Sequence, residues 1–92
     1  MKIELEESTA REWLISHFRY SLGQRTYIVK ECVKDLKKHI NLLEGNDIQI
    51  MIRDIDSELK KWSKWNNYVM IYANYWREFK TWLEDYLERE EG

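Results

Sequence analysis

The side chains that could do chemistry in this sequence are few and scattered. The single cysteine, Cys32, has no companion at the spacing of a zinc site, and a free cysteine is usually a small buried apolar residue. The two histidines, His17 and His39, lie far apart along the chain. We therefore expect Cys32 in the core and predict neither a metal site nor a bound cofactor.

Carboxylates form the other pattern that could carry catalysis. Asp54 and Glu58 are four residues apart and share a helix face, with Asp56 nearby, and such groups can hold magnesium. Basic residues flank them, however, and a mixed charge run is typical of a solvated helix face. The sequence has neither a Gly-x-Ser-x-Gly nucleophile motif nor a glycine-rich phosphate loop. We predict that the protein is not an enzyme.

Glycines divide the chain into helical segments. The 92 residues contain no proline, and the three glycines lie at positions 23, 45 and 92. Between them the apolar residues recur at three- and four-residue spacing, which is typical of amphipathic helices. With 43% apolar residues and a net charge of −2, we expect one folded domain over residues 1–92. The sequence predicts an all-α protein, a small bundle of about four helices over 9–22, 27–44, 47–63 and 67–90.

The longest stretch without a glycine or proline covers residues 46–90. One straight helix of that length would measure about 68 Å, far more than the value of about 26 Å that is twice the radius of gyration of a compact chain of this size. We therefore predict a break around Ser63–Asn67, with one long bent helix as the alternative. We also expect Gly23 to close the first helix in the left-handed conformation and Gly45 to end the second.

The sequence has no feature of a membrane or exported protein. It contains no run of the roughly 18 apolar residues that a membrane-spanning helix needs. Residues 1–7 are acidic and alternate between polar and apolar, unlike a signal peptide. We expect a cytoplasmic protein that does not act at a membrane.

Charge is distributed unevenly along the chain. Residues 19–38 hold six basic and two acidic side chains, a balance of +4, and residues 84–91 hold five acids and one arginine, a balance of −4. The two stretches could match within one molecule or between subunits, or the basic stretch could face an acidic partner. The other interpretation is a solvated helix face that complements the helix dipole. The residues of the candidate basic face are Arg19, Arg25, Lys30, Lys34, Lys37 and Lys38.

Aromatic residues are concentrated in the C-terminal third. Nine of the 13 lie between positions 62 and 86, and at helical spacing they point in more than one direction. One stripe can fill a small core, and the rest could form an interface with another copy or a foreign protein. A third interpretation is base stacking beside lysines, as in proteins that hold single strands. The candidate partner-binding residues are Trp65, Tyr68, Tyr75, Trp76 and Trp82.

Three sequence blocks resemble a known group of proteins. Residues 19–29 read RYSLGQRTYIV and resemble an R-Y-x-L-G-x-R-T-Y-I-V signature of small, mostly uncharacterised proteins encoded on phages and other mobile elements of Gram-positive bacteria. A block like Met51–Ile55 and a Trp-x-x-Phe block like Trp76–Phe79 follow in the same order. Over residues 61–67 the sequence departs from this pattern and carries extra aromatic residues. The resemblance implies a mobile-element origin rather than a known activity.

The turn at Gly23 combines this signature with positive charge. Arg19, Tyr20 and Arg25 would cluster there and could donate hydrogen bonds to a carboxylate or phosphate. The alternative is an internal ion pair between one of these arginines and an acid such as Asp54, which would lock the bundle.

These observations lead to two functional hypotheses. Small phage proteins of this size often bind and disable a host protein, so the resemblance implies an inhibitor of a host defence effector, as an anti-CRISPR protein is. Its non-catalytic interface would use the aromatic C-terminal helix and the basic second helix in the host cytoplasm, and a homo-oligomer is a further option. The alternative is a nucleic-acid-binding regulator that uses the basic face of the second helix.

Overall fold

The fold consists of helices joined by short connections. In the part of the chain that the computed structural model describes, there are four α-helices, one short 3-10 helix and no strand, so the all-α prediction is confirmed. The helices are α1 (Glu7–Leu22), α2 (Ile28–Lys38), α3 (Gly45–Trp62) and α4 (Asn67–Glu91), with the 3-10 helix at Ile40–Leu42. The structure describes residues 7–24, 26–62 and 67–91.

The helices enclose one apolar core. The last helix, α4, packs against both α2 and α3, and α1 also contacts α2 and α3. Every helix buries one stripe of side chains at three- and four-residue spacing, as an amphipathic helix does when one face meets the core. The buried apolar residues are Leu14, Phe18, Val29, Cys32, Leu36, Ile40, Leu43, Ile48, Met51, Ile55, Ala73, Trp76, Phe79 and Leu83.

A bidentate ion pair joins α1 to the start of α3. Arg11 donates from Nε to Oδ2 of Asp47 at 2.6 Å and from Nη2 to Oδ1 at 2.8 Å. The backbone N–H of Glu44 donates to Asp47 Oδ2 at 2.9 Å, which satisfies the amide just before α3 as a capping box does. Asp47 is only 7% exposed, so a charge that would be costly to bury alone is fully partnered.

The second helix is shorter than predicted. The sequence predicted a helix over 27–44, but α2 ends at Lys38, and His39 leaves the helical conformation at φ −113° and ψ 22°. A 3-10 turn follows, and Leu43 is extended with ψ 145°. This tighter path keeps Ile40 and Leu43 buried while it returns the chain towards α1, where Arg11 meets Asp47.

The predicted break between the last two helices is confirmed. The third helix ends at Trp62 and the fourth begins at Asn67. Lys80 Nζ on α4 donates to Asp56 Oδ1 on α3 at 3.0 Å. In one continuous helix these residues, 24 positions apart, would be separated by about 36 Å, so the bent-helix alternative is wrong.

The two internal glycines do not act as predicted. Neither Gly23 nor Gly45 has a positive φ, so Gly23 does not close α1 in the left-handed conformation. Gly45 is the first residue of α3 rather than the end of α2. A Cβ at Gly23 would meet no atom within 4 Å. The turn therefore does not require a glycine at position 23.

The Asp47 ion pair predicts a pH-dependent stability. The hydrogen bonds from Arg11 and the Glu44 amide lower the pKa of Asp47 below its usual 3.8, although burial opposes them. A lowered folded-state pKa stabilises the fold above the unfolded-state pKa, and this contribution is lost as the pH falls through the folded-state value. Asp47→Asn should lower the free energy of unfolding by about 1–3 kcal/mol at pH 7, since hydrogen bonds to charged groups are lost.

Urea unfolding of both proteins between pH 7 and pH 2 measures this difference, which should shrink as the acid limit is approached. Asp54→Asn is the matched control on the same helix, because Asp54 forms no ion pair with the described residues. A constant difference between wild type and Asp47→Asn across this range would show that the ion pair does not stabilise the fold.

The open space at Gly23 predicts a stabilising substitution. Gly23→Ala should raise the free energy of unfolding by about 0.4–1 kcal/mol, because alanine restricts the unfolded chain without a clash in the fold. Differential scanning calorimetry should show a Tm higher by about 2–6 °C. A lower Tm would mean that residue 23 adopts a positive φ in solution.

Candidate functional site

Four lysines form an exposed stripe along α2. Lys30, Lys34, Lys37 and Lys38 recur at a spacing that places them on one side of the helix, and all are exposed. Within the described residues, no carboxylate lies at ion-pair distance from any of them. Lys37 and Lys38 in the last turn also complement the helix dipole. The charge of this stripe is therefore available to a ligand.

A cleft of about 320 Å³ lies between this stripe and α4. Three lysines of the stripe line it from α2, and Tyr75 and Glu78 line it from α4. Half-buried Val33 and Tyr75 supply its apolar surface, whereas Phe79 is 0% exposed. We call this site the basic cleft; its lining residues are Lys30, Val33, Lys34, Lys37, Tyr75, Glu78 and Phe79.

The aromatic rings beside the basic cleft stack on one another. The Trp82 ring lies 6.0 Å from Phe79 and 5.7 Å from Tyr86, centroid to centroid, with interplanar angles of 21° and 12°. Lys37 Nζ lies 5.6 Å from the centroid of Trp82. The two ring–ring contacts follow from spacings of three and four residues along α4, and the contact with Lys37 comes from the packing of α2 on α4. They occupy ring surface that a base would need for stacking.

The structure describes the side chains of three of the five predicted partner-binding residues. Trp76 is 0% exposed and meets Phe18 edge-on at 5.7 Å, so its ring fills the core and presents no surface to a partner in this structure. Tyr75 and Trp82 are half-buried and pack against that core. The side chains of Trp65 and Tyr68 lie outside the described residues.

The predicted basic face is only partly brought together. Lys30, Lys34 and Lys37 share the basic cleft with Tyr75, and Lys38 is exposed beside them. Arg19 is exposed on α1 and lines a different, small cavity of about 40 Å³ with Asp47 and Asp54 among its neighbours. Arg25 lies outside the described residues.

The large exposed aromatic side chains among the described residues are not on α4. Trp13 is 57% exposed, Tyr20 is 60% exposed and Tyr27 is 75% exposed. Tyr20 was predicted at the turn after α1, but sequence reasoning missed Trp13 as a surface residue. Its position seven residues before Tyr20, off the stripe of Leu14 and Phe18, was the signal that could have found it.

A second large depression, between α3 and α4, contains an ion pair within the protein. It measures about 580 Å³ and contains the Lys80–Asp56 ion pair at 3.0 Å. The hydrogen bond from Lys80 also lowers the pKa of Asp56. This depression is therefore a weaker candidate for a charged ligand than the basic cleft, whose lysines form no ion pair with the described residues.

The described residues also include Cys32 and His17, whose side chains could act as a nucleophile or a base. Burial raises the pKa of the Cys32 thiol to about 11, so the sulfur is protonated at neutral pH and is a poor nucleophile. The His17 ring stacks on Trp13 with the ring centroids 5.2 Å apart, and its Nε2 lies 3.6 Å from Asp35 Oδ2. Among the described residues, no group of three or more His, Cys, Asp or Glu side chains could hold a metal ion.

Known proteins provide no match. No family model, curated protein or solved structure is significantly similar to this chain. None of the described helices combines the length and the apolar character needed to cross a membrane.

Proposed function

We propose that this chain is a non-catalytic binding protein whose basic cleft holds an acidic segment of a partner protein. One observation carries the proposal: three exposed lysines, without ion pairs to described residues, stand beside half-buried Val33 and Tyr75. Such a site fits an apolar anchor side chain flanked by carboxylates. The lysines would steer and orient the segment, and burial of the anchor would supply affinity.

The ring contacts favour a protein partner over a nucleic acid. Proteins that hold single strands offer aromatic faces on which bases stack. Here Phe79 is buried, and Trp82 lies between Phe79 and Tyr86 with Lys37 over its ring. The apolar surface of the cleft suits an aliphatic side chain better than a base.

The partner class in this proposal is a host defence effector. Support comes from the resemblance of residues 19–29, Met51–Ile55 and Trp76–Phe79 to mobile-element proteins. A small phage-type accessory protein of this kind would act in the host cytoplasm and inhibit the effector by occupying an acidic surface, as an anti-CRISPR protein does. The basic cleft supplies a surface of the required charge.

The second candidate function is nucleic-acid-binding regulation, and the lysine stripe is the observation that favours it. Lysines along one side of a helix can neutralise successive phosphates of a backbone. Binding of this kind would weaken steeply with added salt because counterions are released.

A fluorescence polarisation experiment separates these two functions. We expect binding of a labelled helical peptide that carries glutamate and leucine on one face, and no binding of labelled oligothymidine at low salt. The variant with Lys34→Glu and Lys37→Glu should weaken peptide binding about tenfold or more, because attraction becomes repulsion. Arg53→Glu is the matched control, since Arg53 is exposed on α3 and does not line the cleft.

Two outcomes would contradict the acidic-peptide proposal. The first is equal affinity for a peptide in which glutamine replaces every glutamate. The second is salt-sensitive oligothymidine binding that the same two substitutions abolish, which would establish the nucleic-acid function instead. Circular dichroism of each variant confirms that the helices are intact.

Phage plating tests the proposed host partner. Expression of this protein in a Gram-positive host with an active CRISPR nuclease should increase the plating efficiency of a targeted phage. The Lys34→Glu, Lys37→Glu variant should lose this effect, and Arg53→Glu should keep it, because only the former reverses the charge of the cleft. Protection that is absent for wild type, or equal for all three proteins, would reject this partner class.

A further inference from the structure

An acidic surface lies next to the basic cleft at the C-terminal end of α4. Glu84, Asp85, Glu88 and Glu90 are all exposed there. An open depression of about 660 Å³ is lined by Trp82, Asp85, Glu88 and Arg89, and we call it the acidic end. Arg89 Nε donates to the backbone oxygen of Asp85 at 3.4 Å, and Arg89 forms no ion pair with a described carboxylate.

The basic cleft and the acidic end follow one another along α4. Residues 75, 78, 82, 85 and 89 recur at spacings of three and four, so they lie on one side of the helix. Trp82, with Lys37 over its ring, marks the boundary between the two regions. Tyr75 and Glu88 are about 20 Å apart along the helix axis, at 1.5 Å per residue.

The opposite charges of these two regions do not neutralise each other within one molecule. Among the described residues, no lysine of the α2 stripe forms an ion pair with a carboxylate of α4. The lysines of the α2 stripe and the carboxylates of the acidic end therefore remain available for contacts between molecules. The two regions also lie on a single face, which allows both to engage one partner at once.

We infer that a second copy of this chain occupies the basic cleft through its acidic end. A two-fold axis near Trp82 would place each basic cleft opposite the acidic end of the other copy, so that both charge matches form together. Interfaces of this kind are self-complementary and close at two subunits. Half-buried Trp82 would lie near the centre, where aromatic residues most often anchor an interface.

This inference rests on the proposed function, because the cleft that would bind a partner is the same cleft. Self-association would cover the lysines and compete with the acidic segment of the partner. The dimer would then be the form without partner, and dilution or partner binding would release the monomer.

Sedimentation equilibrium with charge-reversed pairs tests the dimer. Wild type should dimerise at low salt and dissociate as salt screens the charges. The basic-cleft variant (Lys34→Glu, Lys37→Glu) and the acidic-end variant (Asp85→Lys, Glu88→Lys) should each be monomeric, with dimer affinity reduced about tenfold or more. An equimolar mixture of the two variants should restore a dimer, because every facing pair of charges is again opposite. Arg53→Glu should dimerise like wild type.

Three results would overturn the inference: a monomeric wild type at high protein concentration and low salt, a mixture of the two variants that stays monomeric, or growth beyond two subunits. The acidic-end variant separates this failure from failure of the proposed function, since its basic cleft is unaltered. If that variant binds the glutamate–leucine peptide while wild type does not dimerise, the cleft function stands and the dimer is rejected. If wild type dimerises and the monomeric acidic-end variant does not bind the peptide, the proposed function fails alone.

Discussion

The buried carboxylate of Asp47 is the constraint on which the arrangement of the helices depends. An unpaired charge at 7% exposure would destabilise the fold, so Arg11 on α1 must reach the first turn of α3. That requirement fixes the path of residues 39–44, which leave the helix at His39 and run extended at Leu43. The second helix must therefore stop at Lys38. Because α2 packs against α4, residues of both helices line the basic cleft.

The core and the candidate site share the residues of α4. Trp76, Phe79 and Leu83 fill the interior, while Tyr75 and Trp82 lie at its edge and stack or pack against their neighbours. This division explains why a segment so rich in aromatic residues offers little exposed aromatic surface on the described part of α4. Charged side chains are exposed beside this core, with lysines along α2 and carboxylates at the end of α4. We accordingly base the binding proposals on lysines and carboxylates, with aromatic rings as supporting elements.

Local signals predicted the helices well and the connections less well. Apolar spacing placed α1, α3 and α4 within two residues of their observed ends, because side-chain periodicity is a local property. The same spacing predicted a second helix that continues to residue 44, since Ile40 and Leu43 continue the stripe, but α2 ends at Lys38. The pairing of Arg11 with Asp47, 36 residues apart, had no local signal, and an internal ion pair was expected from Arg19 or Arg25 instead.

The sequence alone predicted the helical class, the break between α3 and α4, and the separation of charge between residues 19–38 and 84–91. These features follow from composition, apolar spacing and chain length, which do not depend on contacts between distant residues. Tertiary packing places Trp76 in the core, separates Arg19 from the lysine stripe, and brings Lys30, Lys34 and Lys37 to one cleft with Tyr75. Burial and charge pairing depend on which helix faces meet. The arrangement of the faces minimises the free energy of the whole fold rather than that of any single segment.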